Sequence, residues 1–218
     1  MFKNRKEAAI ELARALEIYK NEDPLILAIP RGGVEIGYYI AKELECKWSV
    51  IIARKLGYPG QPETAFGAIA EDRSLFFNPR IRSQLTQNMI EEIIYKEERE
   101  IKRRIQIYRK GGLFPEIRGR TIIITDDGIA TGATLFAIIE MCKKAGADKI
   151  IVAAPVSGPE IPELLLDIVY DVVILETPEN FYAVSQAYEY FENLGDKEVL
   201  GFIERSKFKK ESLKLQKA

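Results

Sequence analysis

The sequence predicts an α/β fold, a central, mostly parallel sheet with helices on both faces. Three observations predict it. Short apolar runs recur along the 218 residues, each followed by a segment with apolar residues at helical spacing. The runs lack polar alternation, as expected of strands buried on both faces. Glycine- and hydroxyl-rich turns fall where the runs end, and open parallel sheets gather ligands at their strand C-terminal ends.

The elements follow in order. Residues 4–20 carry Ala9, Leu12, Ala13, Leu16 and Tyr19 at helical spacing. A buried strand over 25–30 is broken by Pro30-Arg31-Gly32-Gly33, and 34–44 continues as a helix. Residues 49–54 form a second strand. Turn formers crowd 55–79, where 66–70 and 75–77 are able to pair as a short hairpin. A charged helix over about 84–110 has Glu92→Lys96, Glu98→Lys102 and Glu100→Arg104 in the favourable i,i+4 order. Strands follow at 121–125, 149–155 and 171–176, with helices at 135–142, 160–168, 183–193 and 196–213. No repeat or low-complexity linker appears, so one domain is expected over 1–218, with a small hood from the terminal segments.

Composition narrows the function. A net charge of −1 with 30% charged residues argues against a nucleic-acid protein held by bulk electrostatics. No apolar run reaches the roughly 18–20 residues of a membrane span. The polar N-terminus and the two cysteines, read as reduced thiols rather than a disulfide, give a cytoplasmic expectation. The chain has no histidine, which removes Ser-His-Asp and Cys-His catalysis and His-ligated zinc.

The chemistry concentrates in Asp126-Asp127-Gly128-Ile129-Ala130-Thr131-Gly132-Ala133-Thr134, between a buried strand and a helix. Free N–H groups and the helix dipole at such a junction form an anion site. Gly128 and Gly132 let the backbone curl, and Thr131 and Thr134 add hydroxyls. Two carboxylates beside a phosphate cradle suit a ligand with sugar hydroxyls next to its phosphate, or one carrying a divalent cation. A nucleotide P-loop would need a lysine that is absent here. An ordinary acidic helix cap is the plainer alternative, and a single aspartate would have supported it. Pro30-Arg31-Gly32-Gly33 is a second strand-end turn and a second potential anion site.

These residues resemble the binding motif of the type I phosphoribosyltransferases for 5-phosphoribosyl 1-diphosphate (PRPP). The likeness extends in order through Pro-Arg-Gly-Gly-Val at 30–34, Arg-Lys-Leu-Gly-x-Pro-Gly-x-Pro-Glu at 54–63, Phe-Gly-Ala-Ile-Ala-Glu at 66–71, Pro-Val at 155–156 and Glu-Thr-Pro-x-x-Phe-x-Ala-Val at 176–184. Together these blocks resemble a branch of predicted bacterial and archaeal members without a firm substrate. The resemblance implies that Asp126 and Asp127 hold the ribose hydroxyls, with any metal contact made through the ligand or water. Ala130, Thr131, Gly132, Ala133 and Thr134 would take the 5′-phosphate, with Gly128 also among the PRPP-binding residues. Arg31, Gly32 and Gly33 would form the pyrophosphate loop, with a cis peptide at Arg31–Gly32, and Arg54 and Lys55 would reach the leaving pyrophosphate. Residues 56–73 would be a mobile lid. Mg²⁺ is the implied cofactor, and a homodimer is expected.

The resulting expectation is transfer of the phosphoribosyl group from PRPP to a small nitrogenous acceptor, a nucleobase being the first choice. A PRPP-sensing regulator on the same fold is the alternative. A nucleoside- or sugar-phosphate hydrolase is disfavoured, because the sequence shows neither the nucleophile nor the metal-ligand clusters it would need. Ala130 stands where hypoxanthine-guanine enzymes carry an aspartate, so no base is evident beside the ribose. The acceptor would attack as a neutral amine or acidic ring nitrogen, or borrow Glu63 or Glu71. Phe181 and Tyr182 are the expected acceptor contacts, in an aromatic-rich segment of a kind that more often serves hydrophobic packing. The basic residues Arg103, Arg104, Arg109 and Lys110 read as a solvated helix end, with a substrate or subunit contact as the rival.

Overall fold

The computed structural model describes residues 1–78 and 85–215, with the side chains of 62, 63 and 207–215 outside the description. Five strands form a parallel sheet: β1 (Leu25–Ala28), β2 (Lys47–Val50), β6 (Thr121–Thr125), β7 (Lys149–Val156) and β8 (Asp171–Glu176). Their order is β2-β1-β6-β7-β8. Register pairs Ala28 with Val50 on one side and with Thr125 on the other. The chain leaves β1 toward β2 and later returns to the opposite edge of β1 as β6. The crevice at the C-terminal ends of β1 and β6 is therefore a topological switch point, where open parallel sheets bind ligands.

Alternation along these strands supplies two cores. Ile26, Ile123 and Ile151 face α1 (Arg5–Ala15) and α2 (Gly32–Glu43), meeting Leu12, Ile36 and Ile40. Leu25, Leu27, Ile122, Ile124 and Val152 face α4 (Ala133–Lys144) and α5 (Ile161–Leu166), meeting Leu135, Ile138 and Leu165. Helices on both faces are why the strands read as continuous apolar runs.

A second, antiparallel sheet holds β3 (Ala53–Tyr58), β4 (Gln61–Ala70) and β5 (Leu75–Phe77). The expected pairing of 66–70 with 75–77 is present, with Gly67 opposite Phe77 and Ile69 opposite Leu75. The expected strand over 49–54 is two strands in different sheets. Ile51 and Ile52 are fully buried at the crossover, so no polar residue marks the break. The small sheet packs on α4 through stacked Phe76 and Phe136. It also packs on α3 (Gln87–Arg109), which spans most of the expected charged helix; residue 84 lies outside the described residues.

Residues 56–73, the expected lid, contribute most of the small sheet. Most of 56–73 is strand, and Leu56, Phe66, Ala68 and Ile69 are buried core residues. Glu71 is bonded to Arg109 and accepts from the Ile52 N–H, tying the small sheet to α3. Only the turn at Tyr58–Gln61 and the start of β4 project beyond this anchorage.

The terminal segments close one end. Phe2 N–H donates to Ala187 O at 2.7 Å, and Glu189 N–H donates to Phe2 O at 2.8 Å. Residues 188–190 are used in this pairing, so the expected helix over 183–193 is only a 3-10 turn at Val184–Ala187. The expected helix over 4–20 similarly ends at Ala15 and continues as a 3-10 segment, Glu17–Glu22. Helix α6 (Asp196–Leu215) crosses α2 and α3, burying Val199 and placing Phe202 5.3 Å from Tyr38. Its last turns, with the basic 207–210 segment, have no described side chains. Cys46 lies just past α2, not in a helix, and Cys142 lies within α4; both are free thiols. Burial pushes them up to about 11 and about 12, well above the ordinary thiol value. No helix among the described residues is long and apolar enough to cross a membrane.

Candidate active site

The Asp126–Thr134 loop is shaped from below by β7. Ile129 N–H donates to Val156 O at 2.9 Å, and Gly158 N–H donates back to Ile129 O at 3.0 Å. Gly128 sits beneath Val184, whose Cγ1 would lie 2.5 Å from any Cβ there. Gly132 caps α4 at φ 68°, a left-handed conformation natural for glycine. The loop thus arches over a pocket of about 150 Å³ lined by Asp126, Gly128, Ile129, Ala130, Thr131, Gly132 and Thr134. Ala133, the first residue of α4, is buried behind it. The pocket opens at the N-terminus of a twelve-residue helix, which suits a phosphate.

Lys55 is the cation of this pocket among the described residues, and it also lines a wider cleft of about 810 Å³. Ile29, Asp126 and Thr134 line both spaces. The far wall of the cleft is α3, with Lys96, Glu97 and Arg104. Arg54 lines the cleft too, but its Nε donates to Glu97 Oε2 at 2.8 Å. Glu97 is one of the few buried charges, and it had no signal in the sequence beyond its place in a charged helix. Lys55 faces the phosphate loop, whereas Arg54 is held from α3.

The Pro30–Gly33 turn corrects one expectation. The cis peptide is Pro30–Arg31, one residue earlier than expected. Arg31 already has helical angles, and Val34 N–H donates to its carbonyl, so the strand-to-helix break falls before it. Arg31 is exposed and lines neither space, although Pro30 lines the wider one. The Cβ position of Gly33 falls 2.8 Å from Asp126 Cα, and that of Gly32 falls 1.7 Å from Asp127 Oδ2. The N-terminus of α2 is met by the motif carboxylates themselves.

The two aspartates are unlike. Asp126 lines both spaces. Burial, and then the neighbouring Asp127 charge, push its carboxyl well above the ordinary aspartate range. Asp127 lines neither space; its Oδ2 accepts from Arg5 Nε at 2.8 Å. Tyr188 Oη donates to the Asp127 carbonyl at 2.5 Å, and burial raises that phenol. Sequence reasoning missed Arg5, which sits in an unremarkable basic helix start.

Phe181 and Tyr182 are not brought to the cleft. Phe181 packs against the cluster of Phe2, Ala8, Val156 and Tyr188. Tyr182 is 83% exposed. The residue of this segment that lines the phosphate pocket is Val184. Glu71, a suggested base, is buried against Arg109 and not at the site; the side chain of Glu63 lies outside the described residues. The basic end of α3 is spent internally, with Arg103 on Glu100 and Asp196, and Arg104 on Glu100. Both arginines hold Glu100 down to about 2.

The fold and pocket define an α/β protein with a glycine- and threonine-rich loop at a helix N-terminus, set at the switch point of its parallel sheet, with a carboxylate and a lysine on the same pocket. Residues 1–192 match the family described as the phosphoribosyl transferase domain, and the chain belongs to that family. Two curated relatives from Mycobacterium tuberculosis carry the names "Putative phosphoribosyl transferase MT0597" (strain CDC 1551 / Oshkosh) and "Putative phosphoribosyl transferase Rv0571c" (strain ATCC 25618 / H37Rv). Each is 36% identical over 208 residues, covering 94% of this chain and 47% of the relative. The chain thus spans about half the length of the curated relatives it matches. The crystal structure of TT1426 from Thermus thermophilus is 32% identical, with a TM-score of 0.79 over 93% of this chain and 97% of that one.

The family implies Mg²⁺. No three His, Cys, Asp or Glu side chains gather at one point among the described residues. With Asp126 as the cleft carboxylate, the donor set fits an ion that keeps waters and takes most of its oxygens from a phosphorylated ligand.

Proposed function

We propose that the chain transfers the 5-phosphoribosyl group of PRPP to a small nitrogenous acceptor, releasing pyrophosphate. The observation that carries this is the convergence of the 128–134 cradle, Asp126 and Lys55 on one pocket. In this reading the loop N–H groups and the Thr131 and Thr134 hydroxyls hold the 5′-phosphate. Asp126 accepts from a ribose hydroxyl and places negative charge near C1, where an oxocarbenium-like transition state gains positive character. Lys55 and Arg54, which line the wider cleft, offset the charge of the leaving pyrophosphate in this reading, with Glu97 holding Arg54. Mg²⁺ supplies further neutralisation of the diphosphate when bound. The rate gain comes from positioning and electrostatics, because no described side chain at the pocket is set up as a nucleophile toward C1.

The acceptor is a nitrogen compound able to attack without a strong protein base, because Ala130 offers none and Glu71 is engaged elsewhere. A nucleobase is the first choice. The test is pyrophosphate release from PRPP and Mg²⁺ across a panel of nucleobases and small amines. Release with one member supports transfer. PRPP binding without release from any member would favour a PRPP-sensing role, and absence of PRPP binding would overturn both readings.

A further inference from the structure

The motif places two carboxylates together, yet the ligand they are meant to hold is itself polyanionic. Arg5 resolves this conflict. It is only 5% exposed, an unusual burial for an arginine in the first turn of a helix. Its Nε reaches Asp127 Oδ2 at 2.8 Å, and its Nη1 reaches Glu192 O at 2.7 Å. The guanidinium lies 4.0 Å from the centre of the Phe191 ring. Phe191 packs on Tyr188 at 5.2 Å, and the Tyr188 hydroxyl bonds the Asp127 carbonyl. One cage, built from the N-terminal helix and residues 188–192, therefore holds Asp127 by both its side chain and its main chain. Gly32 closes the opposite side.

Fixing Asp127 also fixes its neighbour. The Asp127 N–H donates to Asp126 Oδ1 at 2.8 Å, so the rotation of the shared peptide sets where the Asp126 carboxyl points. We propose that Arg5 is a positioning residue for PRPP binding: it holds and neutralises Asp127 outside the cleft, leaving Asp126 as the carboxylate presented to the ribose. This rests on the reading of the site as a PRPP site. A lysine cannot reproduce the arrangement, because its ammonium is a point donor and lacks the planar fork that reaches Asp127 and Glu192 together.

The test is calorimetric titration of PRPP with Mg²⁺ into wild type, R5K, R5A, D127N and R5A/D127N, well below the melting temperature of each. R5A, with an uncompensated buried carboxylate beside the site, is expected to bind at least about tenfold more weakly than wild type. R5A/D127N is expected to bind more tightly than R5A, because the charge that Arg5 had neutralised is gone. A purely structural arginine would not give rescue of ligand affinity among folded variants. If R5A does not fold, R5K decides, with weakened binding expected and wild-type affinity overturning the proposal. Wild-type affinity in folded R5A, or no rescue in the double variant, would also overturn it. Failure of wild type itself to bind PRPP would instead overturn the underlying functional reading, and the proposal with it.

Discussion

Gly32 and Asp127 share one space: a Cβ on Gly32 would lie 1.7 Å from Asp127 Oδ2. Asp127 is unable to retreat, because Arg5 grips the same oxygen. Gly32→Ala should therefore destabilise the fold by about 1–3 kcal/mol through overpacking. Urea unfolding checks the stability. The same variant should lose PRPP affinity, since the carboxylate pair must shift to admit the methyl group.

Asp126 gives a pH signature opposite to that of a salt-bridged aspartate. Its carboxyl titrates above the ordinary 3.8 in the folded chain. Between those two values the native state binds more protons than the unfolded state, so stability falls as pH rises through the window and stays lowered above it. Asp126→Asn carries no such proton. The variant should be more stable than wild type near neutral pH, by about 1 kcal/mol. The difference should vanish below the ordinary aspartate value. Glu35 and Glu71 are also raised by burial but are common to both proteins, so they cancel in the comparison of melting temperatures against pH.

Glu71 and Arg109 are a buried pair, with side chains 4% and 11% exposed. Glu71→Gln leaves the guanidinium without its counter-charge and should cost about 3–5 kcal/mol in chemical denaturation. Arg103→Ala breaks an exposed pair and should cost no more than about 1 kcal/mol. Equal effects of the two changes would show that the small sheet does not depend on this anchor.

We expect any lid movement to be confined to residues 57–65. Amides of 66–70 lie in a strand paired on both sides and buried against α3 and α4, so they should exchange slowly with or without PRPP and Mg²⁺. Ligand-dependent protection should appear only toward the hairpin tip. Hydrogen exchange resolved to short peptides distinguishes this from a lid that spans all of 56–73.

The local grammar of the chain was legible. The apolar run at 121–125, the glycine and threonine spacing after it, and the helix beyond appear in the structure as β6, the arched loop and α4. Each depends on forces that act within a few residues: burial without alternation, left-handed glycine geometry and helix N-terminal dipoles. The small hairpin at 66–77 was legible for the same reason. By contrast, the run at 49–54 has no internal mark where it passes from one sheet to the other, because both halves are equally buried.

The adjacent aspartates show where local reading ends. Sequence by itself determined that two carboxylates stand at the mouth of a phosphate loop. It did not determine that only Asp126 faces the cleft. That division depends on Arg5, which is 122 positions away along the chain, and on Tyr188 and Phe191 from beyond the last strand. Phe181 and Tyr182 were set aside for the same reason, since pairing of 188–190 with the N-terminal segment turns Val184 inward instead. Spacing reports which groups share a turn of chain. Which of them meets a ligand is decided by the strand order and terminal packing that bring distant charges into one low-dielectric space, where each buried charge must find a partner.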